Sequence, residues 1–317
     1  MDFETFLDSL DRERRTYHLE IPSMGGDVID ARLYLPKEEG RYPGVLFSQG
    51  LITGNLLVAA NALGRYVTRI GAAVLIPTYV GHREDRLCPD DAEHVVNAFQ
   101  TLKGIDEVIP EHVGMLGFSY GGQIALTGAA DPRIAADVRY VVSVGGPTDM
   151  ESMMLFGLTD PGASKSARRI VHESLVESLR TEIRRREQLG TMEDALYRDF
   201  FLVDEMLETK SAYHVARMMG MLSSSMWKEM KKLSPLKRAE SIEARVMLVH
   251  GKDDAIVPFE QSMWMHEALL AAGKETELIA AEGIGHIVYP TKPREAMDFV
   301  RNRLSGTFER IIEFMRR

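Results

Sequence analysis

The chain has 317 residues, 45% of them hydrophobic, which allows one large domain or two smaller ones with a proper core. Its net charge of -9 argues against a nucleic-acid or anionic-membrane partner, and its single cysteine, Cys88, excludes an internal disulfide and suits a reducing compartment. The acidic start Met1-Asp2-Phe3-Glu4 lacks the pattern of a signal peptide, and no stretch approaches the ~20 apolar residues of a membrane helix, so a cytoplasmic protein is expected.

Phe3, Phe6, Leu7 and Leu10 share one face of a helix predicted over residues 2–14. Tyr17–Pro22 and Val28–Pro36 read as two strands joined at the turn signal Met24-Gly25-Gly26-Asp27. Pro43–Phe47 is a short buried strand that opens into Ser48-Gln49-Gly50-Leu51. A helix is expected over residues 55–70, stopped by Gly71. Ala72–Pro77 is the next strand, followed by a polar loop at Gly81-His82-Arg83-Glu84-Asp85. Asp90 or Asp91 caps a helix running to Lys103, with Gly104 as its stop.

Arg139–Val144 is another buried strand, opening into Gly145-Gly146-Pro147-Thr148-Asp149. From about Met150 to Ile242 no strand is expected. Three helices are: Ser164–Leu189, Met192–Leu207 and Ser211–Met230. Strands return at Arg245–Val249 and Glu277–Ala280, separated by a helix over Pro258–Ala272 with Gly273 at its end. Pro293 opens a C-terminal helical region. Strands alternating with helices imply an α/β protein, its sheet mostly parallel and flanked by helices. The expected organisation is a core of residues 1–149 and 243–317, with a helical cap, 150–242, inserted between strands. In such sheets the ligand lies beyond the carboxyl ends of the strands.

The chain is organised around Gly117-Phe118-Ser119-Tyr120-Gly121. A short apolar run, His112–Leu116, precedes it, and a small apolar one, Gly122–Ala130, follows. Strand, tight turn and helix are the context of a nucleophile elbow. A serine hydroxyl needs a base, commonly a histidine oriented by a carboxylate. His18 lies in an edge strand. His94, His172, His214 and His266 lie on helical patterns, and His112 is at the wrong end of the elbow strand. His286 follows the last strand in a Gly-x-Gly-His loop and is the candidate base. His82 also follows a strand's carboxyl end and is a candidate pocket residue.

The acid is sought in His250-Gly251-Lys252-Asp253-Asp254-Ala255-Ile256-Val257-Pro258. The spacing H-G-x-x-D-x-x-V-P favours Asp254 over Asp253, with Asp149 a third candidate. Two N–H donors are needed for the oxyanion of a tetrahedral intermediate. They are assigned to Tyr120, after the nucleophile, and Leu51, after Gly50. Gln49 and Gly50 are candidate substrate contacts, as are Met218, Met219 and Met221, adaptable apolar side chains on the inserted helices.

These residues resemble the α/β-hydrolase superfamily, in the order Ser119, Asp254, His286. The branch is similar to the dienelactone hydrolases and prolyl oligopeptidases. The resemblance rests on the paired N-terminal strands ending Leu33-Tyr34-Leu35-Pro36, on Tyr42-Pro43-Gly44-Val45, on the G-F-S-Y-G-G elbow and on the H-G-x-x-D-x-x-V-P stretch. It departs in having Gln49-Gly50 where that branch often has His-Gly, and Ser119 where dienelactone hydrolases proper use cysteine. The resemblance implies an α/β-hydrolase fold and a serine hydrolase of carboxylic esters, acting on a small-molecule ester without metal or organic cofactor. A peptidase or amidase on the same triad, or a non-catalytic binding member, are the alternatives. An exposed helical cap would also offer a surface for a homodimer.

Overall fold

The computed structural model describes residues 14–22, 28–51, 64, 67–69, 71–188, 190–191, 194–209, 211–223, 227–228, 231–286 and 305–317. Its centre is an eight-stranded sheet of order β1-β2-β4-β3-β5-β6-β7-β8. β1 (Arg14–Pro22) and β2 (Val28–Pro36) pair antiparallel, from Arg14 opposite Pro36 to Pro22 opposite Val28. β2 also runs antiparallel to β4 (Ala73–Thr78). The remaining pairings are parallel and join β4, β3 (Tyr42–Ser48), β5 (Val108–Phe118), β6 (Tyr140–Val144), β7 (Arg245–Gly251) and β8 (Thr276–Ala281). β1 and β8 are the two edges.

Side chains alternate across a strand, and both faces are covered, so the central strands read as unbroken apolar runs. On one face Leu46, Leu75, Met115, Val141 and Leu248 pack with Phe99 and Ile124. Those two come from α2 (Asp91–Lys103) and α3 (Tyr120–Ala129). On the other, Val45, Val74, Leu116, Val142 and Met247 pack with Ile311 and Phe314 of the C-terminal helix (Ser305–Arg316).

The expected helix over 2–14 falls outside the described residues, except that Arg14 belongs to β1. The turn at 24–27 and most of 55–70 also lie outside them, although Gly64 and Val67–Arg69 are helical. The polar loop expected after β4 is instead α1 (Val80–Glu84). Its first amides are satisfied by a distant partner, the Asp91 carboxylate, which accepts from Val80 N–H at 3.1 Å and Gly81 N–H at 2.9 Å. A one-turn helix held this way has no local sequence signature.

Between β6 and β7 lie α4 (Met150–Thr159), α5 (Lys165–Gln188), α6 (Asp194–Glu208) and α7 (Ala212–Met219), then a 3₁₀ turn over Pro235–Ser241. The sequence pattern misses α4, because Met-Glu-Ser-Met-Met-Leu-Phe-Gly-Leu-Thr has no distinct polar face. Its start is capped by Asp149, which accepts from Ser152 N–H at 2.9 Å. The expected helix 211–230 stops at Met219, where Gly220 serves as C-cap; glycine is costly in a helix interior. Met154, Val171, Leu175, Val203, Met206 and Met218 form an apolar cluster within these helices, separate from the two on the sheet. Among the described residues, no helix is long and apolar enough to cross a membrane.

Candidate active site

β5 ends at Phe118, and α3 begins at Tyr120. Ser119 alone makes the turn, at φ 52° and ψ −123°, a conformation costly for a residue with a side chain. The bond from Ser119 N–H to Val144 O at 2.7 Å ties the turn to the next strand. Both flanking glycines are sterically required. A Cβ on Gly117 would collide with the Gly121 backbone, and one on Gly121 would collide with the Ser48 carbonyl. The helix start is thus packed directly on the end of β3.

His286, after β8, presents Nε2 3.0 Å from Ser119 Oγ and Nδ1 2.6 Å from Asp254 Oδ2. An ionised carboxylate only accepts hydrogen bonds, so Nδ1 carries the hydrogen and Nε2 offers its lone pair to the serine. Asp254, after β7, accepts from the amides of Ile256 and Val257 through Oδ1, at 2.8 and 2.9 Å. His250, fully buried in β7, places Nε2 3.3 Å from Asp254 Oδ2 and 2.9 Å from Val257 O. Its Nδ1 lies 2.7 Å from Ser262 Oγ. The motif made His250 visible but gave it no part to play; here it is a second support for the acid.

Burial by itself raises a carboxyl pKa. For Asp254 the hydrogen bonds from His250 and His286 outweigh it and hold the group well below the usual carboxylate range. A folded pKa below the unfolded value of ~3.9 gives stability that is full above the unfolded value and lost as pH falls through the folded one. Asn at 254 keeps an acceptor for the two amides and removes the charge. The melting-temperature gap between wild type and Asp254→Asn is therefore expected to be widest near neutrality and to narrow below about pH 4. Equal gaps at pH 7 and pH 3 would show that the carboxylate charge adds nothing to folding.

The other acid candidates stand elsewhere. Asp149 caps α4 and lies 3.4 Å from Lys237 Nζ, and the Asp253 side chain is exposed. Leu51 and Tyr120 both line a cavity of about 30 Å³ beside Ser119. Gly50 backs onto Ser119, so closely that a Cβ there would lie 3.1 Å from Ser119 Cβ. Gln49 is buried, and its carbonyl lies 2.8 Å from His82 Nε2.

His82, expected to line the pocket, is not among the residues that line the cavity at Ser119; its Nε2 faces the Gln49 backbone carbonyl. Met218 and Met219, expected substrate contacts, are buried in the cluster of inserted helices, and Met221 is exposed. None of the three lines the cavity at Ser119. Among the described residues of the insertion, those that do are Met150, Met153, Ala167, Ile170 and Val171. They come from the helix that sequence reading missed, which follows β6, and from the first turns of α5, whose start is tied to the loop after β7 by the bond from Ser164 N–H to Ala255 O at 2.8 Å.

A mostly parallel sheet flanked by helices, with a serine at the strand–helix elbow and a histidine and an aspartate after later strands, is the α/β-hydrolase fold. Residues 200–305 match the family described as the prolyl oligopeptidase family. A hydrolase of Fusarium sp, LUC6, is 34% identical over 155 residues, 42% of this chain and 34% of the relative. The match thus spans about a third of that curated relative's length.

Solved structures share the fold. The acylaminoacyl peptidase of Pyrococcus horikoshii superposes with a TM-score of 0.60 at 14% identity, covering 100% of this chain and 44% of the peptidase. A hyperthermophilic esterase from the archaeon Pyrobaculum calidifontis superposes at 0.58 and 17%, covering 95% and 86%.

Proposed function

We propose that this protein hydrolyses carboxylic esters through an acyl-enzyme. The observation that carries the reading is the unbroken hydrogen-bonded line from Ser119 Oγ through His286 to Asp254. Ser119 Oγ attacks the ester carbonyl while His286 Nε2 takes its proton. The amides of Leu51 and Tyr120 receive the oxyanion. Collapse expels the alcohol, which takes that proton from His286. Water, deprotonated by His286 in turn, releases the acid and restores the serine.

The family match and the peptidase fold neighbour favour a second reading, cleavage of peptides or other amides on the same triad. The cavity wall supports the ester. Leu51, Leu87, Pro147, Met150, Met153 and Ile170 are among its lining, and no charged side chain among the described residues joins them. Such a wall suits an apolar acyl group and offers nothing to a charged peptide terminus. Turnover of p-nitrophenyl acyl esters against peptide arylamides separates the readings, the ester series being the faster by the proposal. Arylamide turnover that exceeds ester turnover would reverse the order of the two.

We further propose that residues 150–242 act as a cap that sets acyl length. The side chain that bears on this is Met153, buried on the cavity wall. Met153→Ala is expected to raise kcat/KM for butyryl and hexanoyl esters relative to acetyl by about tenfold, the methylenes it admits being worth ~1–3 kcal/mol in an apolar pocket. Met218→Ala removes packing within the cap and is expected to cost stability, about 2–5 kcal/mol for a buried Met→Ala change, without shifting that preference. A preference that moves with Met218 and not with Met153 would mean the cavity wall is assigned to the wrong helix.

A further inference from the structure

One buried carboxylate, Asp91, ties together the two backbone segments that carry the oxyanion donors. Asp91 is fully buried at the start of α2. It accepts from Val80 N–H and Gly81 N–H, lies 2.8 Å from His94 Nδ1, and accepts from the Tyr120 hydroxyl at 2.9 Å. Four donors satisfy a buried carboxylate without leaving a bare charge.

From this hub two arms run forward. Through α1 it holds His82, whose Nδ1 accepts from Tyr79 N–H at 3.3 Å. Nε2 must then carry the ring hydrogen, and it donates to Gln49 O at 2.8 Å. Burial keeps the ring neutral by lowering its pKa, against the opposing pull of Asp91 and the Gln49 carbonyl. Ser48 is fixed alongside, its Oγ 3.2 Å from the Tyr79 hydroxyl. The other arm is Tyr120 itself. Its hydroxyl is held by Asp91 and by the Cys88 backbone, accepting from Cys88 N–H at 3.0 Å. The His82 and Tyr120 rings meet edge to face, 5.8 Å between centroids.

We propose that Asp91, His82 and the Tyr120 hydroxyl are positioning residues for the oxyanion hole: they set the Gln49–Leu51 backbone against the Tyr120 amide so that two donors converge on one oxygen. This inference rests on the triad reading of Ser119. It gives the hydroxyl of Tyr120 a role apart from its amide, and it makes His82 a brace behind the pocket wall.

The test uses His82→Phe, which keeps an aromatic ring but has no N–H for Gln49, and Tyr120→Phe, which removes the hydroxyl and keeps the amide. Active sites are counted by end-point fluorophosphonate labelling, so that misfolded protein does not enter the rate. Per labelled site, kcat is expected to fall by about 10- to 100-fold, less than the 10²–10³ of deleting a donor outright, with KM within about twofold. The inhibition constant of a trifluoromethyl ketone, whose adduct carries the oxyanion, is expected to rise by the same factor as kcat falls.

A merely structural role would lower the number of labelled sites and leave both per-site quantities alone, and that result would overturn the inference. So would a fall in kcat with unchanged ketone affinity. Turnover undiminished in Ser119→Ala would overturn the triad reading and this inference together. Because that control is separate, the two failures are distinguishable.

Discussion

Ser119→Ala is expected to lower kcat on p-nitrophenyl esters by about 10⁶-fold, the scale on which a triad loses its nucleophile. The physical reason is local. The strained turn aims one hydroxyl at His286 Nε2, 3.0 Å away, and no other side chain makes that contact among the described residues. Alanine keeps the backbone and both expected oxyanion amides, so a small residual rate over water remains. Folding is expected to be nearly unchanged, since the side chain lost is one hydroxyl. Mass spectrometry after fluorophosphonate treatment gives a second readout: a single adduct in the wild type, absent from Ser119→Ala. An adduct of undiminished yield in the variant would place the nucleophile elsewhere.

Asp254→Asn is expected to cost about 10⁴-fold in kcat, the effect of presenting the wrong imidazole tautomer. Asp254 Oδ1 is engaged by two amides, so an asparagine oxygen is drawn to that site and its NH₂ turns toward His286 Nδ1. Nδ1 then accepts, Nε2 carries the hydrogen, and the ring no longer takes a proton from Ser119. KM is expected to change little, because no substrate contact is removed. Asp149→Asn serves as the contrast: its carboxylate caps α4, so its loss bears on stability more than on kcat. Should Asp149→Asn prove the slower enzyme, the acid has been assigned to the wrong strand end.

The parts of the site legible in the sequence are those fixed by short-range geometry. The elbow is readable because Gly117 and Gly121 answer steric demands within five residues. Asp254 is readable because its carboxylate serves amides two and three positions on, which fixes its spacing from Val257. His286 is readable from its place after the last strand. The parts that were not legible depend on distant partners. Asp91 looks like a helix cap in sequence, yet Asp90 occupies the cap position and the Asp91 side chain serves α1 and Tyr120 instead. The Asp91-x-x-His94 pair, one helical turn apart, was the available signal.

His82 follows a strand's carboxyl end, as a pocket residue would, but the direction of a side chain depends on backbone it meets only in three dimensions. The inserted helices mislead for another reason. Methionines buried among themselves and methionines facing a cavity have the same pattern, so Met218 and Met219 could not be told from Met150 and Met153. The β/α alternation of the sheet was readable throughout, because burial on both faces forces continuous apolar runs of strand length.

The position of β8 has a consequence for how the proposed activity is lost. Ser119 and Asp254 follow interior strands, while His286 hangs from a strand that, among the described residues, pairs on one side only, to β7. The face of β8 is half-buried, and its Glu277 is held by ion pairs to Arg310 and Arg317 of the C-terminal segment. Edge elements with little buried surface open at lower free energy than the whole molecule. Heat or denaturant should therefore withdraw His286, the proposed general base, while the sheet and Ser119 remain folded. Inactivation would then precede the loss of far-ultraviolet ellipticity and reverse fully on cooling from that stage, with activity and ellipticity lost together only if β8 is as firmly held as its neighbours.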